Sequence, residues 1–530
     1  MKRIILSLLV ALSLGSPGFA QPLTGDEQIM HTLNRLTFGP RPGDLESVKR
    51  LGLENFIQQQ LHPENIAEPD DVVALLHQSP AFSKTPLQLF ISYGGPAIKQ
   101  IRQESMGADG KLDEEKFKSA RKQLYNELYE DVPKIKVLRG LESMRQLNEV
   151  MTDFWFNHFN ICVNKGIDRI WIGSYEEQAI RPYVLGKFRD LLGATCHHAG
   201  MLFYLDNWQN NAGGAKASGK DKSDGSNENY ARELMELHTL GVDGGYTQKD
   251  VTELARVLTG LGYSRPQRVG GRGRRGFGNN VIAAAFQGAQ GPMGMTEVNV
   301  SREAERLGFV FNESRHDYGE KVVMGHVFKG TGEAEIEEAL DFLSRHPSTA
   351  HHIAYQLAQY FVADEPPPAL VDRLAKRFTD TDGDIREVMN TLIHSPEFSD
   401  SKYSEAKYKN PFRFAISTLR AVNAKPNTVQ PVLAFLRLQG MPLYACLTPD
   451  GYKNTESAWL NSDALLRRIN FASALSSGRM PALTNGPVDY QNVYQAVYGL
   501  VSQPTLQTVT KSPENLKCAL LLGSPDFMKY

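Results

Sequence analysis

The chain has 530 residues, 41% of them hydrophobic, which is enough apolar material for a large buried core and suits one large domain or two to three smaller ones. With 58 basic and 60 acidic residues it has no global charge to draw it to nucleic acid, and no apolar run reaches the roughly 20 residues that a membrane-spanning helix needs. What remains is a globular protein whose function has to be read from local patterns.

Residues 1–20 have the pattern of a secretory signal: Lys2 and Arg3 lead, an apolar run over 4–14 follows, and Gly18-Phe19-Ala20 supplies small residues before Gln21. The expectation is an exported protein, periplasmic or secreted, and with no cysteine after the cleavage site a lipid anchor is not expected. Cys162, Cys196, Cys446 and Cys518 permit one or two disulfides in an oxidising compartment.

Thr24-Gly25-Asp26-Glu27 has the capping-box pattern and opens a helix through His31, Leu33, Leu36 and Phe38 that Gly39-Pro40 closes. Short helices follow over 44–51 and 54–61. Apolar spacing over 112–132, and again from Pro133 to Phe154, predicts a helical hairpin ending in Phe154-Trp155-Phe156-Asn157-His158-Phe159. A helix is expected over 176–192, and the Gly, Ser, Asn and Lys of 209–226 read as a mobile loop. Next come helices over 227–241 and 248–261, then an Arg/Gly-rich stretch over 265–280. Val322-Val323-Met324 and His326-Val327-Phe328 form the main strand signal, a small hairpin. The remainder reads as helices over 333–344, 347–361, 367–378, 384–394, 410–422, 463–475 and 513–522. The fold class is therefore mainly α, a multi-helical globular fold with a small β-hairpin and long surface loops. Ser-Pro-x-Phe at 79–82, 395–398 and 524–527 follows Leu-rich helices each time and reads as a reused helix stop.

The familiar signatures are missing: there is no G-x-S-x-G, H-E-x-x-H, Walker loop or C-x-x-C. Gly271-Arg272-Gly273-Arg274-Arg275-Gly276 satisfies G-x-G-x-x-G in form, but no strand precedes it, so a dinucleotide site is not expected. The arginines over 265–280 are instead a candidate contact for an anionic polymer, or a solvated loop. Asp380-Thr381-Asp382-Gly383-Asp384 opens like a calcium loop, yet Ile385 and Thr391 stand where glycine and glutamate are required; Asp382 or Asp384 as a helix cap is the better reading.

Attention falls on the helix over 227–241. Wound at 100° per residue, it gathers Asn229, Arg232, Glu233, Glu236 and Leu240 on one arc, and sends His238 about 200° away from Glu236. Glu233 and Glu236, one turn apart, suit a general base and a divalent metal ligand; His158, Asn229, His316 and Asp317 are the residues that would complete a metal shell, and Arg232 and His158 join the two glutamates as catalytic candidates. The bland alternative is that Arg232 neutralises Glu233 or Glu236 in a structural network. These residues point to a hydrolytic or metal-assisted enzyme, with a non-catalytic binding or assembly protein for a cell-envelope partner as the other reading.

Several segments resemble one family. HTLNRLTFGP over 31–40, FWFNHF over 154–159, YLDN over 204–207, NENYARELMELHTLGVDGGYTQKDV over 227–251, HDYGEKVVMG over 316–325 and TPDGY over 448–452 are similar to the exported bacterial Domain of Unknown Function 1800 family. That resemblance implies a single, mostly helical unit over 21–530, with a division into 21–400 and 401–530 as the alternative. It also implies the company of a sulfatase-like exported partner, and no established reaction. Leu261, where the family usually has Trp, is a departure.

Overall fold

The computed structural model describes residues 22–212, 227–265 and 302–530. The leader pattern, most of the 209–226 loop, the Gly271–Gly276 motif and all of the Arg/Gly stretch but Arg265 lie outside the described residues. The expected class is observed: helix follows helix through the chain, with two small antiparallel two-stranded sheets. None of the described helices is long and apolar enough to cross a membrane.

Most expected helices stand where the apolar spacing put them, among them Asp44–Leu51, Glu333–Arg345, Pro347–Phe361 and Ser462–Ser476. The exceptions have local causes. The first helix spans Gly25–Leu36, but Thr24 makes no side-chain cap bond, so its capping box is a pattern without the contact. The expected 176–192 helix is broken: Ile172–Tyr175 passes into a π-turn at Glu176–Ile180 and a 3₁₀ turn at Arg181–Tyr183, where Pro182 cannot donate to an α-ladder, and a new helix starts at Phe188. Besides the expected hairpin of Lys321–Val323 and His326–Phe328, Leu261–Tyr263 pairs with Phe309–Phe311 across 45 intervening residues, too distant for a turn signal to reveal. Asp384 is the cap of Ile385–Ile393, accepting from the Glu387 N–H at 3.2 Å. The Ser-Pro-x-Phe stops also work as read: Ser395 and Ser524 each accept from the N–H of the phenylalanine three residues on, and Phe82, Phe398 and Phe527 are buried.

One cluster of buried side chains runs from Leu36 to Met528. Its halves are tied by buried arginines that bond to carbonyls at, or just past, helix ends. Arg413 donates to the carbonyls of Arg35 and Thr37 at 2.9 and 3.0 Å, and Arg420 to those of Gly39 and Leu141 at 2.6 and 2.9 Å. These are the carbonyls that the end of a helix leaves without partners. All four cysteines are buried and free.

A second buried network joins the helices Asp131–Glu142 and Gln146–His158 to the π-turn. Lys136 meets Asp153 at 3.2 Å and Glu176 at 3.1 Å, Arg139 meets Glu177 at 2.6 Å, and Arg181 reaches Glu149, Glu176 and Glu177. The Tyr444 hydroxyl donates to Glu176 at 3.0 Å. Removing one member of such a network strands its partners away from water. Lys136→Met is expected to lower unfolding stability by about 3–5 kcal/mol in chemical denaturation; a change below about 1 kcal/mol would show that Asp153 and Glu176 are not held by this ion pair.

Candidate functional site

The helix that carries the two glutamates is short and irregular. It is α-helical over Asn229–Glu233 and a π-helix over Leu234–His238, with the Thr239 hydroxyl donating to the Leu234 carbonyl at 2.6 Å. A π-turn adds a residue to the turn and recurs at functional sites, where it re-aims side chains. Tyr230, Leu234, Met235 and His238 are buried, while Arg232, Glu233 and Glu236 are part-exposed, so the helix has the apolar and polar sides that the winding gave it.

Asparagines fasten this helix. Asn227 donates its backbone N–H to the Asn210 side chain at 3.0 Å, and Asn229 donates to the Leu205 carbonyl at 3.2 Å. Asn207 donates to the Leu258 and Leu261 carbonyls and Asn210 to that of Ala255, which locks the start of the segment to the next helix, Gln248–Val257. Arg232 does not neutralise its neighbours by contact: its guanidinium bonds Glu228 at 3.1 Å and Gln248 at 2.9 Å, and Glu228 also accepts from Gln248 and Thr252.

Asp450, from a distant part of the chain, is among the charges that act on Glu233. Burial pushes the Glu233 pKa up, the carboxylates of Glu236 and Asp450 push it further, and Arg232 opposes. Tyr246 is also beside Glu236: burial first and then that carboxylate raise its hydroxyl pKa. Asp450 behaves in the opposite way. Burial alone would raise its pKa, but the Lys453 ammonium, 2.6 Å away, and the Thr448 hydroxyl outweigh it and hold the carboxyl below its ordinary range. Asp450 is delivered by a loop that Asn157 grips with both ends of its amide, accepting from the Tyr452 N–H at 2.7 Å and donating to the Tyr452 carbonyl at 2.8 Å. Asn160 adds bonds to the carbonyls of Cys446 and Thr448.

The motif segments are thus linked: the Asn157 segment holds the 448–452 loop, and that loop carries Asp450, whose charge acts on Glu233 of the 227–241 helix. Against this geometry, the family model described as "Protein of unknown function (DUF1800)" matches residues 31–529. The chain belongs to the DUF1800 family. No curated protein and no solved structure matches it.

In this DUF1800 protein the seven residues proposed from sequence are distributed over several places. Glu233 and Glu236 are together, with Arg232 beside them. His158 is not with them: it is buried between His238 and His352, with ring centroids 6.0 and 6.2 Å away, its Nε2 is 3.2 Å from the His238 carbonyl and its Nδ1 is 2.7 Å from the Gln356 amide. Burial and then His352 lower its pKa to about 3, so it is neutral in ordinary buffers. Asn229 is spent on Leu205. His316 is sealed against Glu335 at 2.8 Å, with Lys321 on the same carboxylate, and Asp317 pairs with Arg256 at 2.8 Å. Among the described residues no group of three or more His, Cys, Asp or Glu side chains could hold a metal ion.

Asp450 and Tyr246 were missed from sequence. Asp450 carried a signal, since it stands in TPDGY, but only the long-range Asn157 contact shows where that loop goes. Gly451 at the centre of the grip has φ +65, and a Cβ there would lie 2.2 Å from the Asn157 carbonyl oxygen. Gly451→Ala therefore costs at least the ~1–2 kcal/mol of a left-handed residue. Hydrogen exchange over 446–453 is expected to quicken about tenfold or more; unchanged protection would show that the grip does not hold the loop.

Proposed function

We propose that this protein is an exported hydrolytic enzyme in which Glu233 and Asp450 form a general acid–base pair. One observation carries the reading: two part-exposed carboxyls from distant parts of the chain are coupled electrostatically, and their surroundings drive their pKa values in opposite directions. That is the arrangement by which two like side chains take unlike roles. Glu233, which holds its proton to higher pH, donates it to the leaving group. Asp450, which stays ionised, accepts a proton from the attacking water. Glu236 stands beside Glu233 and, after burial, adds to its raised pKa, and Arg232 offers a fixed cation at the rim. A metal-assisted form of the same reaction would have Glu233 and Glu236 as donors without His158, His316 or Asp317. Export is supported by the leader pattern over 1–20.

The test is Glu233→Gln, with Asp450→Asn as its companion, on the purified protein incubated with cell-envelope fractions. Products released are followed by mass spectrometry, and each variant is expected to lose about 10²–10⁴-fold in rate while far-ultraviolet circular dichroism is unchanged. A carboxyl whose pKa is raised in the fold contributes stability that is full below its unfolded pKa and lost as pH rises through the folded one. Glu233→Gln is accordingly expected to raise Tm near neutral pH, with the gain disappearing in acid. Variants that release the same products at the parent rate would end the proposal.

A further inference from the structure

Away from that site, the helix Glu114–Tyr129 repeats cations at helical spacing. Lys118, Arg121 and Lys122 lie on one face with Tyr125, and the loop over 163–169 brings Arg169 and Gly166 across from them. Between the two is an open cavity of about 370 Å³, within the range of small-molecule sites.

Its lining holds four basic side chains and no carboxylate. The nearest compensation is weak: Lys118 meets Glu115 at 3.6 Å, with both side chains well exposed. Lys165, on the same loop, is already paired with Asp206 at 2.9 Å. Asp168, next to Arg169, is fully buried with neither carboxyl oxygen hydrogen-bonded, burial raises its pKa well above the usual range, and it does not line the cavity. Four like charges around one concavity repel one another in a chain whose formal net charge is −2, and this focuses a positive potential into the cavity.

The site is also ordered on one wall. The Arg169 guanidinium carbon lies over the Tyr125 ring, 4.9 Å from its centroid, and its buried Nε has no hydrogen-bond partner in the protein. A guanidinium anchored by such a cation–π contact keeps its fork of donors available for bidentate bonding to an oxyanion. Asn126 adds a neutral amide to the lining.

We infer that this cavity is a binding site for a small ligand carrying a phosphate or sulfate group, with Arg169 as the fork and Lys118, Arg121 and Lys122 as the surrounding charges. The test is calorimetric titration of the full-length protein with inorganic phosphate, sulfate and pyrophosphate, at ionic strength held constant with chloride. Saturable binding of at least one of them is expected, weakened about tenfold or more in Arg169→Gln and in Lys122→Gln, and unchanged in Glu233→Gln. Preference between phosphate and sulfate then assigns the ester, and glycerol phosphate against free phosphate separates a lipid headgroup from a soluble source. Lys122 is exposed on its helix, so its variant reads the site even where Arg169→Gln fails to fold. No saturable binding of any of the three anions above the chloride control, or equal affinity in the parent and in Lys122→Gln, would overturn the inference.

Discussion

The candidate site depends on the amide of Asn157 and the backbone of Tyr452. One side chain accepts from the N–H and donates to the C=O of the same residue, which is the pairing that a neighbouring strand would make, supplied here by a helix. Together with the bonds of Asn160 to the Cys446 and Thr448 carbonyls, it sets where the 446–452 segment, and with it Asp450, lies. The grip explains why glycine stands at 451, where the backbone turns left-handed and passes too close to Asn157 for a side chain. It also explains why an asparagine sits among the aromatic residues of Phe154-Trp155-Phe156-Asn157-His158-Phe159: the rings bury that end of the helix, and the amide fixes a loop nearly three hundred residues away.

Two kinds of charge cluster can be told apart in this fold. Around Glu335, a histidine and a lysine share one sealed carboxylate, and around Glu176 and Glu177 two arginines and a lysine do the same. These networks are satisfied, and their carboxyl pKa values are held down once ion pairing outweighs burial. Glu233 departs from that pattern. Its nearest cation is engaged by Glu228, so burial first and then the neighbouring acids move its pKa up instead. A carboxyl left under-compensated at a part-exposed surface, unlike those networks, is what marks it for proton transfer.

Periodicity made the helices legible, because apolar residues at three- and four-residue spacing report a buried face whatever that face packs on. It also made the two sides of the 227–241 helix legible, since the π-turn over Leu234–His238 leaves Glu236 and His238 on different sides. It could not show which distant residues face the polar side. His158 is near the helix, yet it meets the His238 side, because Phe159 and His352 pack there with it. His316 and Asp317 are adjacent in a motif and look like ligands, but Lys321, Glu335 and Arg256 occupy them. The pairing of Leu261–Tyr263 with Phe309–Phe311 was hidden for the same reason: three-residue strands have too little pattern, and their partner is far along the chain.

The claim on which the functional reading rests is that Glu233 holds its proton above the ordinary glutamate range because burial, and with it the charges of Glu236 and Asp450, disfavours its ionised form. Carbon-13 NMR titration of the Glu233 carboxyl, in the parent and in Asp450→Asn and Glu236→Gln, measures this directly. An apparent pKa above that of an exposed glutamate, falling in each variant, is the expected result. A pKa at or below the exposed value, unmoved by either substitution, would contradict it.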